Sequence, residues 1–264
     1  MVGPMPEDLV IVVPCFNEER RFSPERFKPM LDQEGLVLLL VNDGSTDGTL
    51  ALLQSLAAGG QGRCHVLTLA RNGGKAEAVR RGLEWAVAHG APIAGYLDAD
   101  GATSAEEMLR LAAVLEHEHK EVVLAARVAM AGYRIERRPV RHYVGRLFAT
   151  CAALTLGITV YDTQCGAKVF RVTPALIDAI RRPFRGRWAF DVDLLGRLLH
   201  PVTPGTPSCP ADRWLEVPLK SWHDRAGSKM RLAAMLGMGW DLLHIYAALR
   251  RRIRRTVPAS PRAP

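Results

Sequence analysis

Leu36-Val37-Leu38-Leu39-Leu40-Val41, running directly into Asn42-Asp43-Gly44-Ser45-Thr46-Asp47-Gly48, decides how this chain folds. Six apolar residues without a polar interruption are too few for a globular helix and too uniform for a half-exposed strand, so they read as a strand buried on both faces. The next seven are turn formers whose backbone N–H groups can converge on a ligand. Residues 46–57 then read as a helix, with Ser45 or Thr46 as its N-cap. Strand, polar turn and helix form the unit of a parallel α/β sheet, and the unit repeats on both sides. Residues 9–13, 66–69, 93–97 and 122–125 read as further buried strands. Residues 75–89 and 105–116 read as helices, the latter with Ser104 as N-cap and Glu106 and Glu107 in its first turn. The expected fold class is α/β, a mostly parallel central sheet flanked by helices on both faces.

In such sheets ligands bind outside the carboxyl ends of the strands. The segments there are Pro14-Cys15-Phe16-Asn17-Glu18, residues 42–48, Arg71-Asn72-Gly73-Gly74-Lys75 and Asp98-Ala99-Asp100-Gly101. The two carboxylates around Ala99 suit a hard divalent cation that takes oxygen ligands and bridges a diphosphate. The alternative is a helix-capping Asp beside a solvated one. Gly73-Gly74-Lys75 is followed by Ala76 where a nucleotide-triphosphatase loop needs Ser or Thr, and no G-x-G-x-x-G follows the first strand, so hydride transfer has no support.

The chain has 264 residues, with 48% hydrophobic and 23% charged side chains, enough for a core without staples and too apolar for a disordered tail protein. Five scattered cysteines lack the spacing of a metal or redox pair and read as reduced thiols. No signal-peptide pattern precedes the first strand, which reads as retention on the cytoplasmic side. Thirty-five Lys and Arg against 27 Asp and Glu give +8, a surplus that favours anionic partners. Arg134, Arg137, Arg138, Arg141 and Arg146 crowd one segment, and Arg250, Arg251, Arg252, Arg254 and Arg255 another. The longest uncharged run, residues 147–161, is shorter than the ~20 residues that span a bilayer. Peripheral attachment remains open.

Beyond residue 126 the alternation stops. Residues 163–170 and 214–222 read as strand-like, residues 201–210 as a proline-rich loop, and residues 228–252 as a long helix. Residues 1–228 are expected to form the catalytic domain, with 126–162 as an Arg-rich acceptor or interface segment. Residues 229–255 would be an amphipathic basic helix and 256–264 a disordered tail.

Pro14-x-x-Asn17-Glu18, Val41 to Thr49, Arg71-Asn72-x-Gly74-Lys75 and Asp98-Ala99-Asp100, taken in order, resemble the inverting family 2 glycosyltransferases of the GT-A fold. Asp162-Thr163-Gln164-Cys165-Gly166-Ala167-Lys168, Trp188-x-Phe190-Asp191-Val192-Asp193 and Ser221-Trp222-His223-x-x-x-Gly227-Ser228-Lys229-Met230 resemble their dolichyl-phosphate (polyprenyl-phosphate) glucosyltransferase branch, which is related to dolichol-phosphate mannose synthases. The likeness runs from about residue 9 to 245.

The resemblance implies transfer of a hexose, glucose from UDP-glucose first, to polyprenyl or dolichyl phosphate. Pro14, Asn17, Glu18 and Asp43 would contact uracil and ribose, and Lys75, Asp98 and Ala99 would support the nucleotide. Asp100, with Asp98, would hold Mg²⁺ or Mn²⁺, and Gln164 would sit beside the donor sugar. Relatives often supply a third metal ligand where this chain has Ala102, so Gln164, His223 or water would complete the shell. Arg127 and Arg141 would bind the acceptor phosphate, since forked guanidinium groups suit phosphate. Amphipathic helices of the relatives lie on the membrane surface at this point. Asp191 would be the general base for a hydroxyl acceptor, whereas a phosphate acceptor is already anionic and needs positioning instead. Alternatives are a hydroxyl acceptor, GDP-mannose as donor, and a basic nucleic-acid-binding module. The last lacks exposed aromatics among its arginines, so no nucleic-acid partner is expected.

Overall fold

The structure, a computed structural model, describes residues 9–132, 134–136, 139–223 and 232–256. The first strands are β1 (Leu9–Cys15), β2 (Leu36–Asn42), β3 (Cys64–Thr68), β4 (Ile93–Leu97) and β5 (Val122–Ala126). Between them run α1 (Lys28–Leu31), α2 (Thr49–Gly59), α3 (Lys75–Ala88) and α4 (Ala105–His117). A short β6 (Arg134–Glu136) and the 18-residue α5 (Pro139–Leu156) follow, then β7 (Ala167–Arg171), α6 (Pro174–Ile180) and α7 (Phe190–Leu199). The described chain closes with β8 (Trp214–Pro218), β9 (Ser221–His223) and the 25-residue α8 (Leu232–Thr256).

Seven strands form one sheet in the order β3-β2-β1-β4-β7-β5-β8, and β6 pairs separately with β9. Only β7 runs antiparallel to its neighbours, β4 and β5. Leu9 is opposite Leu36 and Cys15 opposite Asn42, so the carboxyl ends of β1 and β2 are level. Side chains alternate along each strand. Val37, Leu39 and Val41 enter one apolar cluster with α3, α5, α6, α7 and α8, while Leu36, Leu38 and Leu40 enter the other with α1, α2 and α4. Burial on both faces is the reason β2 is apolar throughout. On α4 Ser104 caps as expected, its Oγ accepting from Glu107 N–H at 3.3 Å.

Several boundaries differ from the sequence reading. Helix α2 starts at Thr49, and Ser45 and Thr46 do not cap it. Asn42 Oδ1 accepts from Ser45 N–H (3.1 Å), Asn17 Oδ1 from Thr46 N–H (2.9 Å) and Asp47 Oδ1 from Thr49 N–H (3.1 Å), which keeps the backbone in turns up to Gly48. The strand-like stretch near 163–170 becomes β7 only from Ala167, because residues before it form a loop whose Gly166 carbonyl accepts from Asp98 N–H at 2.9 Å. The stretch 214–222 is two strands in two sheets: β8 ends at Pro218, with Leu219 N–H still donating to Ala126 O at 2.9 Å, and Ser221–His223 pairs with β6 instead. Residues 201–210 are without helix or strand, as the prolines imply. Residues 1–8, 133, 137–138, 224–231 and 257–264, including Arg137, Arg138, Ser228 and much of the expected tail, lie outside the described residues.

Candidate active site

A cavity of about 760 Å³ opens at the carboxyl ends of the parallel strands. Pro14 reaches it from the end of β1, Glu18 from the loop after β1, Asp43 from the loop after β2, Lys75 from the first turn of α3, and Asp98, Ala99 and Asp100 from the loop after β4. Arg127, Gln164 and Asp191 line it as well. Two expected residues do not: Asn17 is turned to the 42–48 loop, and His223, an exposed β9 residue, lies outside the lining. Asn17 has φ +50° and staples two loops, its N–H donating to Ser45 Oγ at 3.1 Å and its amide oxygen accepting from Thr46. Arg141 is on α5, and its side chain lies outside the described part of the structure.

The loops of this half are tied to one another. Both oxygens of Asp43 accept backbone N–H groups, Oδ1 from Gly73 at 2.7 Å and Oδ2 from Gly74 at 2.8 Å. Burial pushes the Asp43 carboxyl up, and these two donors oppose that shift. Lys75 Nζ is 2.6 Å from Asp98 Oδ1. Burial pushes the Asp98 carboxyl up against the attraction of Lys75, while burial of the Lys75 ammonium is outweighed by Asp98 and its neighbouring carboxylates, which hold it above the usual lysine range. Gly166 permits this geometry, since a Cβ there would lie 2.0 Å from Asp98 Oδ2. Asp100 accepts from Ala102 N–H at 2.9 Å, and its carbonyl accepts from Arg26 at 3.1 Å, so the turn holding the second carboxylate is fixed from behind.

Oxygen atoms of Asp100, Asp98 and the Gln164 amide line this part of the cavity and are of the type a hard cation takes. Among the described residues no three His, Cys, Asp or Glu side chains converge as a closed site. One or two carboxylates with room for water and phosphate fit a hard cation that arrives with a diphosphate.

Deeper in the cavity wall, Asp191 is 3% exposed and its Oδ1 accepts from Lys168 Nζ at 2.7 Å and from the Tyr96 hydroxyl. Lys168 is itself fully buried and also donates to Cys165 O at 2.6 Å. Burial, reinforced by the Asp191 charge, holds the Tyr96 phenol well above its ordinary range. Arg127 makes a forked contact to Asp162, Nε to Oδ2 at 2.7 Å and Nη2 to Oδ1 at 2.8 Å, and lies over the Trp222 ring. Glu216 accepts from the N–H groups of Tyr161 and Asp162 at 2.7 and 2.6 Å, fixing the loop that carries that aspartate. Arg127 thus reaches the cavity already paired with Asp162.

The opposite end of the cavity is built differently. Arg146, on α5, lines it with its guanidinium 4.0 Å from the Tyr161 ring centroid, and its buried Nη1 has no hydrogen-bond partner among the described residues. Cys151, Gly239 and Leu242 line both the cavity and an adjoining groove between α5 and α8, which continues over Leu154, Leu243 and Tyr246 to Arg250. Leu154 is 75% exposed and Leu243 62%, with Leu147 and Trp240 similarly open. No described helix is long and apolar enough to cross a membrane.

Sequence reasoning missed Arg146, Arg187, Lys168 and Tyr161 as cavity or support residues. Arg146 belonged to a noted arginine cluster, beside the apolar run that forms the rest of α5. Lys168 carried a signal too, as a cation beside Ala167, Val169 and Phe170 in a strand whose other charge, Arg171, is its last residue. For Arg187 nothing in local spacing separated it from Arg181, Arg182 and Arg185.

Comparison with known proteins gives a consistent picture. The sequence model of "Glycosyl transferase family 2" matches residues 10–175. The dolichyl-phosphate beta-glucosyltransferase of Mus musculus is 29% identical over 290 residues, covering 96% of this chain and 80% of that protein. The polyprenol monophosphomannose synthase of Mycolicibacterium smegmatis is 25% identical over 193 residues, covering 72% of each. Among solved structures, the glucosyl-3-phosphoglycerate synthase of Mycobacterium tuberculosis, crystallised with Mn²⁺, uridine diphosphate and glucosyl-3-phosphoglycerate, superposes with a TM-score of 0.64 at 18% identity, over 92% of this chain and 80% of that one. That likeness establishes the GT-A fold.

Proposed function

The chain belongs to glycosyl transferase family 2, and from that premise we propose that it transfers a hexose, glucose from UDP-glucose in the first instance, to a polyprenyl phosphate with inversion at the anomeric carbon. The observation that carries the acceptor class is the junction between the cavity and the α5/α8 groove. Arg146, whose buried Nη1 has no hydrogen-bond partner among the described residues, lines the cavity, and Cys151, Gly239 and Leu242 join that cavity to the open apolar groove, a combination suited to a phosphate with a long hydrocarbon tail. The curated relatives named for dolichyl-phosphate glucosyl transfer and polyprenol mannosyl transfer support the same class.

The donor's nucleotide would lie along Pro14, Glu18 and Asp43, and its sugar beside Gln164. A divalent cation, Mg²⁺ or Mn²⁺, held by Asp100 with Asp98 would offset the charge of the diphosphate. The chain's own residues orient the reaction. Lys75 keeps Asp98 in place, and Asp162 holds Arg127 against Trp222 as one wall of the acceptor side. A phosphate acceptor needs no base to become nucleophilic at neutral pH, so the commitment of Asp191 Oδ1 to Lys168 and Tyr96 costs the reaction nothing. A hydroxyl acceptor would require a base at that position. Arg141, five residues before Arg146 on α5, is proposed as a second contact to the acceptor phosphate. The exposed apolar residues and basic end of α8 support attachment to a membrane surface, on the cytoplasmic side, at about 1 kcal/mol per basic residue near anionic lipid.

The test is transfer of radiolabelled sugar from UDP-glucose, with GDP-mannose in parallel, to polyprenyl phosphate in detergent with Mn²⁺. An acid-labile labelled lipid from one donor supports the reading and names the donor. Nucleotide-sugar binding without labelled lipid would overturn the acceptor and move the hydroxyl-acceptor reaction to first place.

A further inference from the structure

The cationic side chains of the cavity differ in whether they are already spent. Arg21 is paired with Glu18, Lys75 with Asp98, and Arg127 with Asp162. Arg187 also lines the cavity and makes no ion pair with a described carboxylate. It stands at the loops after β2 and β3, with its Nε 3.4 Å from where a Cβ on Gly74 would be, and near enough to Asp43 for its charge to oppose the effect of burial there. These are the loops that would receive the nucleotide, at the amino end of α3.

The backbone carrying Arg187 is held at both sides. Arg185 N–H donates to Asp193 Oδ2 of α7 at 2.7 Å. Trp188 N–H and Ala189 N–H both donate to Asp241 Oδ2 of α8, at 2.9 and 3.3 Å. Between them Gly186 has φ +85°, and a Cβ there would come within 2.7 Å of Asp241 Cγ, so the loop folds directly onto this carboxylate. The Trp188 indole packs over Gly237 of the same helix. An arginine whose backbone is fixed loses less entropy on binding an anion than one on a free loop. Asp241 lies outside the residues 10–175 that match the family.

We propose that Arg187 binds the diphosphate of the donor and that Asp241 is its positioning residue, holding the 185–189 loop from α8. The inference rests on the proposed function only in requiring a nucleoside-diphosphate donor and is independent of the acceptor. With Lys75 committed to Asp98, the guanidinium supplies forked donors to phosphate oxygens that the lysine does not.

The experiment is calorimetric binding of UDP and GDP, each with Mn²⁺ and without acceptor, to the full chain. For whichever nucleotide the wild type binds, Arg187→Ala should weaken the diphosphate roughly tenfold or more while leaving the corresponding monophosphate within about twofold. Arg187→Lys should recover part of the loss. Asp241→Asn should weaken diphosphate binding severalfold, and the double variant should bind no worse than Arg187→Ala alone, since Asp241 acts through Arg187. A merely structural Asp241 would lower thermal stability and weaken monophosphate and diphosphate alike, or add its full loss to that of Arg187→Ala. Either result overturns the positioning role. Unchanged diphosphate binding by Arg187→Ala overturns the inference alone, whereas a wild type that binds neither nucleotide overturns the donor reading and the inference with it.

Discussion

The loops around Asp43 and Asp98 and the α5/α8 wall face the same cavity but are organised by different physics. On the nucleotide side the loops are cross-linked by polar contacts, Asp43 to Gly73 and Gly74, Asn17 to Ser45 and Thr46, Lys75 to Asp98, with Gln164 Nε2 buried and unpartnered among the described residues. Such cross-links fix loop positions before a ligand arrives, which is what a site for one rigid, charged molecule requires. On the α5/α8 side the contacts are apolar and open, and Arg146 Nη1 has no partner among the described residues. A flexible hydrocarbon chain needs surface to lie on, with one anchored end. The cavity is preorganised where it would meet the nucleotide and unfilled where it would meet the tail.

Variants can break this contrast. Asp100→Ala should have the largest effect, reducing transfer at least a hundredfold, because it removes the carboxylate best placed for the cation. Its melting temperature should stay within a few degrees of wild type, since what Asp100 holds is a local turn. A folded variant with near-normal transfer, measured at saturating Mn²⁺, would remove the metal from the proposed reaction.

Arg146→Ala comes next. Its KM for polyprenyl phosphate should rise about tenfold, in line with the loss of a hydrogen bond to a charged group, while UDP affinity stays unchanged. Equal losses for both ligands would merge the two halves that the structure separates. Replacing Trp240 and Leu243 together by Ser should then cut co-sedimentation with anionic vesicles severalfold, with little change in transfer to a short-chain acceptor in detergent. Retained vesicle binding would place the attachment surface elsewhere.

The smallest effect concerns how α8 is joined to the body. Arg252 donates to Asp193 Oδ1 at 3.2 Å and to the His200 carbonyl at 3.0 Å. Burial, with the Arg252 charge beside it, holds the His200 imidazole below its ordinary value of 6.5. The folded state then binds fewer protons than the unfolded state as pH falls through 6.5, so the contribution to stability present above that pH is lost below it. Denaturant midpoints at pH 7.5 and 5.5 should show a decline that is smaller in His200→Gln. An identical decline in the variant would assign the pH dependence to other groups.

Legibility followed the same division. Strands β1, β2 and β4 could be read because unbroken apolar runs leave few alternatives, and Ser104 because a cap is a local hydrogen bond. Asp98-Ala99-Asp100 could be located because it directly follows such a strand. The beginning of α2 was misread because Asn17, distant in sequence, supplies the acceptor that holds Thr46 in a turn. The same contact takes Asn17 out of the cavity. That Arg127 is paired with Asp162, 35 residues on, could not be read from local spacing.

By itself the sequence determined the alternation of buried strands and helices, the polar loops at the strand ends, and the two carboxylates that make a cation-dependent reaction of a diphosphate plausible chemistry. These are local properties, set by hydrophobic period, turn residues and spacing. Only the tertiary structure decided that β7 enters the sheet antiparallel between β4 and β5, which of the cavity's cations are already paired, and that Asp241 on the last helix holds the loop of Arg187. Pairing and reach depend on distances between residues far apart in the chain, and those distances exist only once the apolar faces have packed.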